Sequence, residues 1–259
     1  MFRCLTGMSL AVGLAVAQPA RGALVINEID ANQATQVSFI DNLEFIEIYN
    51  DGGPTVDFAA TPHSIALFNG NNDLSYTVIN LTTGSLAAGE FLLLGNFDVS
   101  PTPDILLCGT AGCANTIQNG DEAIALYSGA FPGGAPVLTN LVDVIAYDGG
   151  TGTGGDTVLA GLLGLAPADI VDEDAFNNFE TTGISRLPDG SGPFTAGSQL
   201  TPGAANGAAP PEALGKMTIT QTATTSGAIT LCARFGDGNY QFDITVLPVN
   251  GTLFIGGVP

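Results

Sequence analysis

The chain has no tryptophan, a single histidine, and only five lysines and arginines against 25 aspartates and glutamates. Each scarcity excludes something. A net charge of −20 at pH 7 repels phosphate backbones and anionic lipid surfaces, so nucleic-acid binding through a basic patch is disfavoured. One histidine removes the usual base relays and the histidine-rich metal centres. His63 stands between Pro62 and Ser64 in a turn-like setting, where a structural role is expected. The apolar stretch at residues 5–17 stops short of the ~20 residues that cross a bilayer. No long stripe of 3.6-residue period demands a major helix.

What is present reads as an exported β protein. Arg3, an apolar stretch at 10–17 and small residues through Ala20 and Ala23 have the form of a signal peptide over residues 1–23. Cys4 leaves with it, and no transmembrane segment is then expected. Cys108 and Cys113 flank Gly109-Thr110-Ala111-Gly112, and in an oxidising compartment a local disulfide follows. So short a loop puts its stabilisation at the low end of about 2–4 kcal/mol. Cys232 has no evident partner. The predicted location is secreted, at the cell surface or periplasmic.

The 35 glycines and 15 prolines punctuate apolar runs of strand length. Strands are predicted at 24–30, 44–50, 64–68, 76–80, 91–95, 123–127, 141–147 and 183–187, a spacing that indicates an all-β sandwich or barrel. In the second of these, Ile46 and Ile48 flank Glu47, so one face enters a core. Phe45 and Tyr49 share the side of Glu47, which is therefore expected to be partly covered too. A helix is credible only within 159–176, where Leu162, Leu163, Leu165 and Ile170 could cover part of the sheet, and Pro167 limits it to short pieces. The run at 149–155, Gly-Gly-Thr-Gly-Thr-Gly-Gly, lacks the Gly-Lys-Ser/Thr ending of a phosphate loop. The segment 201–211 reads as a domain end and a stiff linker, giving a sandwich over 24–207, a linker over 208–215, and a short β-rich extension over 216–259 that is small for a core of its own.

Several phrases, read in order, carry a resemblance. They are Leu24-Val25-Ile26-Asn27-Glu28-Ile29, Glu44-Phe45-Ile46-Glu47-Ile48-Tyr49-Asn50, Gly84-Ser85-Leu86-Ala87-Ala88-Gly89-Glu90-Phe91 and Asn119-Gly120-Asp121-Glu122-Ala123-Ile124-Ala125-Leu126-Tyr127. Val142-Asp143-Val144-Ile145-Ala146-Tyr147, Ser185-Arg186-Leu187-Pro188-Asp189-Gly190 and Thr201-Pro202-Gly203-Ala204-Ala205-Asn206 complete the set. Together they resemble the lamin tail domain of exported bacterial proteins. The resemblance implies an immunoglobulin-like antiparallel β-sandwich without shared catalytic residues, with motif positions at Asn27, Glu28, Glu44, Glu47, Asn50, Gly120, Asp121, Asp143, Arg186, Pro188, Asp189 and Gly190. The Gly-Trp turn common after the family's second strand is absent, and the insert between Asp148 and Thr182 is long.

Candidate chemistry is sparse. Glu44 and Glu47 are the tempting acid–base pair, but residues three apart in a strand point to opposite faces, so bonding to backbone or to Arg186 is the expected role. Asn69, Asn71 and Asp73 alternate in a manner suited to oxygen ligation, and Asp172-Glu173-Asp174 is a run of like charge. Calcium is the one cofactor these residues suggest. The functional expectation is a non-enzymatic binding or surface-attachment module for an extracellular protein or polysaccharide, with the sandwich edges or the loop after Asp148 as contact surface. The alternative is an accessory domain of an exported hydrolase, of nuclease or phosphatase type, whose catalytic part lies outside this chain.

Overall fold

A computed structural model describes residues 24–32, 41–149, 154–176 and 182–207. The expected signal peptide, the linker, the C-terminal extension and Cys232 all lie outside the described residues. Thirteen strands are described: β1 (Leu24–Asp30), β2 (Phe45–Asn50), β3 (Val56–Asp57), β4 (His63–Asn69), β5 (Leu74–Leu81), β6 (Ser85–Leu86), β7 (Phe91–Asn96), β8 (Ile105–Cys108), β9 (Asp121–Ser128), β10 (Leu141–Asp148), β11 (Val171–Asp172), β12 (Thr182–Arg186) and β13 (Phe194–Gln199). One short helix, α1 (Thr157–Leu162), follows β10.

The strands form a six-stranded sheet, β13-β12-β1-β2-β7-β8, and a five-stranded sheet, β11-β10-β9-β4-β5, with a small β3-β6 ribbon beside them. This is the all-β sandwich that the spacing predicted. Its interior is made by alternation. Ile46 and Ile48 of β2, Ile65 and Leu67 of β4, Ile124 and Leu126 of β9, and Ile145 and Tyr147 of β10 all enter one buried cluster. Two pairings depart from the expected antiparallel pattern, because β7·β8 and β10·β11 run parallel.

Both outer faces are partly covered as well. On the five-stranded sheet, Ala66, Ala123, Ala125 and Ala146 leave a shallow surface, and Leu159, Ala160 and Leu163 of α1 and its C-terminal end are buried against it beside Phe68 and Tyr127. Small side chains on the sheet let the helix approach closely. Asp156 caps α1 by accepting from the Val158 and Leu159 amides at 2.7 and 3.0 Å. The helix thus begins two residues before the expected 159–176 segment and, as expected there, covers part of the sheet. On the six-stranded sheet, Phe45 and Leu93 are covered by Val99 and Leu200, as the shared side of Phe45, Glu47 and Tyr49 implied.

Cys108 and Cys113 are joined in a disulfide with Cα atoms 6.2 Å apart. Its loop is held down where Gly112 N–H donates to Asp98 at 2.7 Å. Among the described residues, no helix is long and apolar enough to cross a membrane.

Candidate functional site

The polar residues fall into two assemblies, both created by local irregularities in the strands. In β1 the pairing with β2 slips between Ile26 and Glu28, so Ile26 faces Ile48 while Glu28 faces Glu47. Asn27 is the extra residue of a β-bulge. Without it Asn27 would oppose Glu47, and Ile26 and Ile29, three apart, would lie on opposite faces. With it, both isoleucines enter the core and two glutamates stand side by side beneath the segment 201–206.

That segment closes over them as a clasp. Thr201 N–H donates to Glu28 at 3.0 Å, and Gly203 N–H donates to Glu47 at 2.7 Å. Asn206 donates from its side chain to the carbonyls of Asn27 and Arg186 at 3.2 and 3.1 Å, and from its backbone to Asp189 at 3.0 Å. Asn27 in turn donates to Glu47 and Asp189 and accepts from Gly190 N–H. Glu28 and Glu47 are fully buried. Burial pushes Glu28 up to about 7, with Asp189 adding to it against the bonds from Thr201. Burial likewise lifts Glu47 to about 8, with Glu28 and Asp189 adding repulsion against the bonds from Asn27 and Gly203.

Proton counting supports the same direction. The Thr201 hydroxyl lies 3.0 Å from Glu28 Oε2 and 2.8 Å from Asn206 Oδ1. It has one proton to give, and the Asn206 amide is oriented by its two donated bonds. Both contacts are satisfied when Glu28 itself holds a proton, donating to Thr201, which donates to Asn206.

Beside the clasp, Arg186 replaces a missing stretch of ladder. β1 pairs with β12 at Glu28 and Ile29, and Ile26 is served instead by side chains. Its carbonyl accepts from Arg186 Nε at 2.8 Å and its N–H donates to Asp143 at 2.9 Å. Arg186 Nη2 donates to both carboxylate oxygens of Asp143, each contact at 2.8 Å. The guanidinium also lies 3.9 Å from the centre of the Phe194 ring. Of the two bonding modes expected for Glu44 and Glu47, backbone or Arg186, the structure has the backbone one, and Arg186 pairs instead with Asp143 of the opposite sheet. Glu44, placed just before β2, accepts from Asn96 Nδ2 and from the Thr116 and Ile117 amides at 2.6, 2.8 and 3.0 Å. It ties down the loop ahead of β9 and does not converge with Glu47.

The second assembly is an acidic end of the sandwich. In register, Asp148 of β10 pairs with Asp121 of β9 on one side and Asp172 of β11 on the other, a row of like charges that costs stability unless neutralised. Asp30, Asp41, Asp148 and Glu173 are all buried there. Glu173 opens a single 3-10 turn and accepts from Ala31 N–H at 3.0 Å. Asn32 donates to the Gly149 carbonyl at 3.0 Å and to Asp174 at 3.4 Å. Asn119 donates to Asp41 at 2.8 Å and to Asn32 Oδ1 at 3.4 Å. Burial raises Glu173, with Asp174 and Asp41 adding repulsion against the Ala31 and Asn32 amides. Burial also lifts Asp174 to about 6, with Asp172 and Asp148 reinforcing it.

The remaining candidates do not join either assembly. Asn69, Asn71 and Asp73 form the β4–β5 hairpin turn. The Asn69 side chain accepts from Asn71 N–H at 2.8 Å and donates to Gln118, while Asp73 has the left-handed φ of 55°. Asn50 donates to the Pro54 and Leu86 carbonyls. Gly120 accepts from Gly149 N–H, and Pro188 accepts from Gly192 N–H. His63 Nδ1 lies 2.9 Å from the Thr61 carbonyl, and its ring meets Phe58 edge-on.

Fold and sites together define an all-β sandwich whose buried carboxylates fasten its termini and loops. No family model matches the sequence, and no curated protein matches it. Among solved structures, it is similar to a DUF4876 family protein from Bacteroides thetaiotaomicron, at 13% identity and a TM-score of 0.39. The likeness covers 64% of this chain and 62% of that one, so the chain spans less than two thirds of that protein.

Proposed function

We propose that the chain is an exported, non-enzymatic sandwich of the lamin tail type that binds or attaches to an extracellular polysaccharide or protein. The observation that carries this reading is the fate of its carboxylates. The adjacent pair Glu28 and Glu47 is sealed under backbone amides and Glu44 anchors a loop; the two carboxylates that do line the shallow groove of about 420 Å³ beside Ser85, Phe91 and Gly203, Glu90 and Asp104, accept from the Ala87 and Leu93 amides at 2.9 Å each. An acid–base catalyst needs its carboxyls open to substrate; these are structural. The lamin tail reading is supported by the way Asn27, Glu28, Glu47, Asp143, Arg186, Asp189 and Gly190, spread over more than 160 residues, meet at one clasp and its neighbouring ion pair.

The contact surface favoured here is the edge of β5, which pairs with no further strand among the described residues. It is eight residues long and carries no charged side chain or proline in a chain of net −20, and such an edge offers backbone groups to an added strand or to sugar hydroxyls. Ser75 N–H is already taken by the Gly134 carbonyl, so the open part runs from Tyr76 onward. Export is supported by the leader-like residues 1–23 and by the disulfide. The test is a binding screen of the purified full chain against cell-wall polymers, polysaccharides and extracellular DNA. A stable complex with a polymer, weakened by Thr77→Pro or Ile79→Pro, is the expected result. Hydrolytic turnover without a stable complex would overturn the proposal.

A further inference from the structure

We infer that the acidic end holds one hard divalent cation, calcium, ligated by Glu173 Oε2, Asp41 and Asn119 Oδ1, with backbone carbonyls and water completing its shell. Two acceptor atoms point to it. Glu173 Oε2 is buried with no hydrogen-bond partner, although the other oxygen of the same carboxylate is satisfied by Ala31. Asn119 Oδ1 is buried without a donor as well. The Asn119 amide cannot simply be reversed, because its nitrogen donates to both Asp41 and Asn32. Asp41 is linked to both residues: it accepts from Asn119 and repels Glu173 electrostatically. Buried acceptors without donors are costly and uncommon, and two of them on residues tied to one carboxylate point to missing positive charge.

A basic side chain does not fill that place. Arg186 is the sole lysine or arginine among the described residues, and it is committed to Asp143. The row Asp121, Asp148 and Asp172, with Asp174 beside it, adds negative potential around the same end, which attracts a cation and is relieved by it.

The donor set selects the metal. All three ligands are oxygens, two of them carboxylate and one amide. Calcium takes 6–8 such oxygens in a flexible shell, whereas magnesium requires a strict octahedron and zinc favours nitrogen and sulfur. Among the described residues no group of three histidine, cysteine or acidic side chains converges as a metal cage. The site is accordingly of the mixed kind, with two acids supplemented by amide and carbonyl oxygens. Of the residues that the sequence suggested for calcium, Glu173 is the one retained as a ligand; Asp172 and Asp174 supply surrounding charge, and the hairpin set Asn69, Asn71 and Asp73 lies elsewhere.

The experiment uses the full chain stripped with a chelator. Calcium chloride alone should raise the melting temperature in a saturable manner, and magnesium should do so less well. Terbium, excited through tyrosine, should luminesce and be displaced by calcium, because buried Tyr147 lies close enough to Glu173 to feel its charge. Glu173→Gln should weaken calcium binding about tenfold or more with an unchanged circular-dichroism spectrum, and Asp73→Asn should leave binding intact. If Glu173→Gln does not fold, Asp41→Asn and the terbium signal of the unmutated chain decide. Wild-type protein that shows neither a melting shift nor terbium emission overturns the inference, as does calcium binding that is lost in Asp73→Asn but kept in Glu173→Gln.

Discussion

A carboxyl sealed beneath Thr201 retains a proton that the unfolded chain would release, and this makes the clasp sensitive to pH. Glu28 titrates near 7 in the folded protein against 4.5 for an ordinary glutamate. Between those values the native state binds the proton and the unfolded state does not, so stability falls as pH rises. The contribution is fully present below 4.5 and is lost as pH climbs through about 7. At about 1.4 kcal/mol per unit, the loss from Glu28 alone is on the order of 3–4 kcal/mol. Glutamine imitates the protonated acid: it can accept from Thr201 N–H and donate to the Thr201 hydroxyl, which still donates to Asn206. Glu28→Gln should therefore remove the Glu28 share of the decline in urea midpoint between pH 5 and pH 8, leaving the parts due to the other raised carboxyls, Glu47 and Glu44 near 8, Glu122 near 7, Asp174 near 6 and Glu173. Parallel pH profiles for the variant and the parent would show that Glu28 is ionised throughout and that the proton is misplaced.

Among the elements, α1 takes the sheet-covering role expected within 159–176, but with a shifted set of side chains: Leu159 and Ala160 are fully buried while Val158 and Leu162 are exposed. Leu159→Ala should then cost about 2–5 kcal/mol, with Val158→Ala changing stability by less than about 0.5 kcal/mol; chemical denaturation of the two variants checks the difference. Equal, small effects would return the segment to the contact surface. The strong strands were legible for a clear reason: β2, β4, β9 and β10 are apolar runs of strand length bounded by turn residues, as strands covered on both faces require. The weaker ones were not. β3, β6 and β11 are two residues long, and β8 and β13 are edge strands of largely half-buried residues, so neither period nor hydrophobicity marks them. The site was legible as phrases but not as geometry. Asn27 gives no sign in the sequence that it is a bulge, and without that slip of register Glu28 does not meet Glu47. Arg186 could be singled out by rarity alone, but its partner Asp143 lies 43 residues away, a pairing that only the stacking of the two sheets creates.

At the scale of the molecule, the clasp stitches the last described residues to the first. Residues 201–206 bond to Asn27 and Glu28 in β1, to Glu47 in β2 and to Arg186 and Asp189 around β12, so the two ends of the sandwich stabilise each other. Closure of this kind is long-range and is won only when most of the chain is already in place. It also predicts where the domain can be cut. A chain ending after Gly207 keeps every clasp bond and should unfold in one cooperative step close to the parent midpoint. A chain ending after Leu200 loses about five hydrogen bonds to buried groups, at roughly 1 kcal/mol each, and opens Glu28 and Glu47 to water, where they ionise side by side. For a domain of this size a loss of about 5 kcal/mol lowers the melting temperature by roughly 10–20 °C. Because the exposed glutamates would then titrate normally, the shorter chain should also lose much of the pH dependence that the longer one shows. A shorter chain with an unchanged melting temperature would mean that the sheets alone hold the fold, and that residues 201–206 merely rest on their surface.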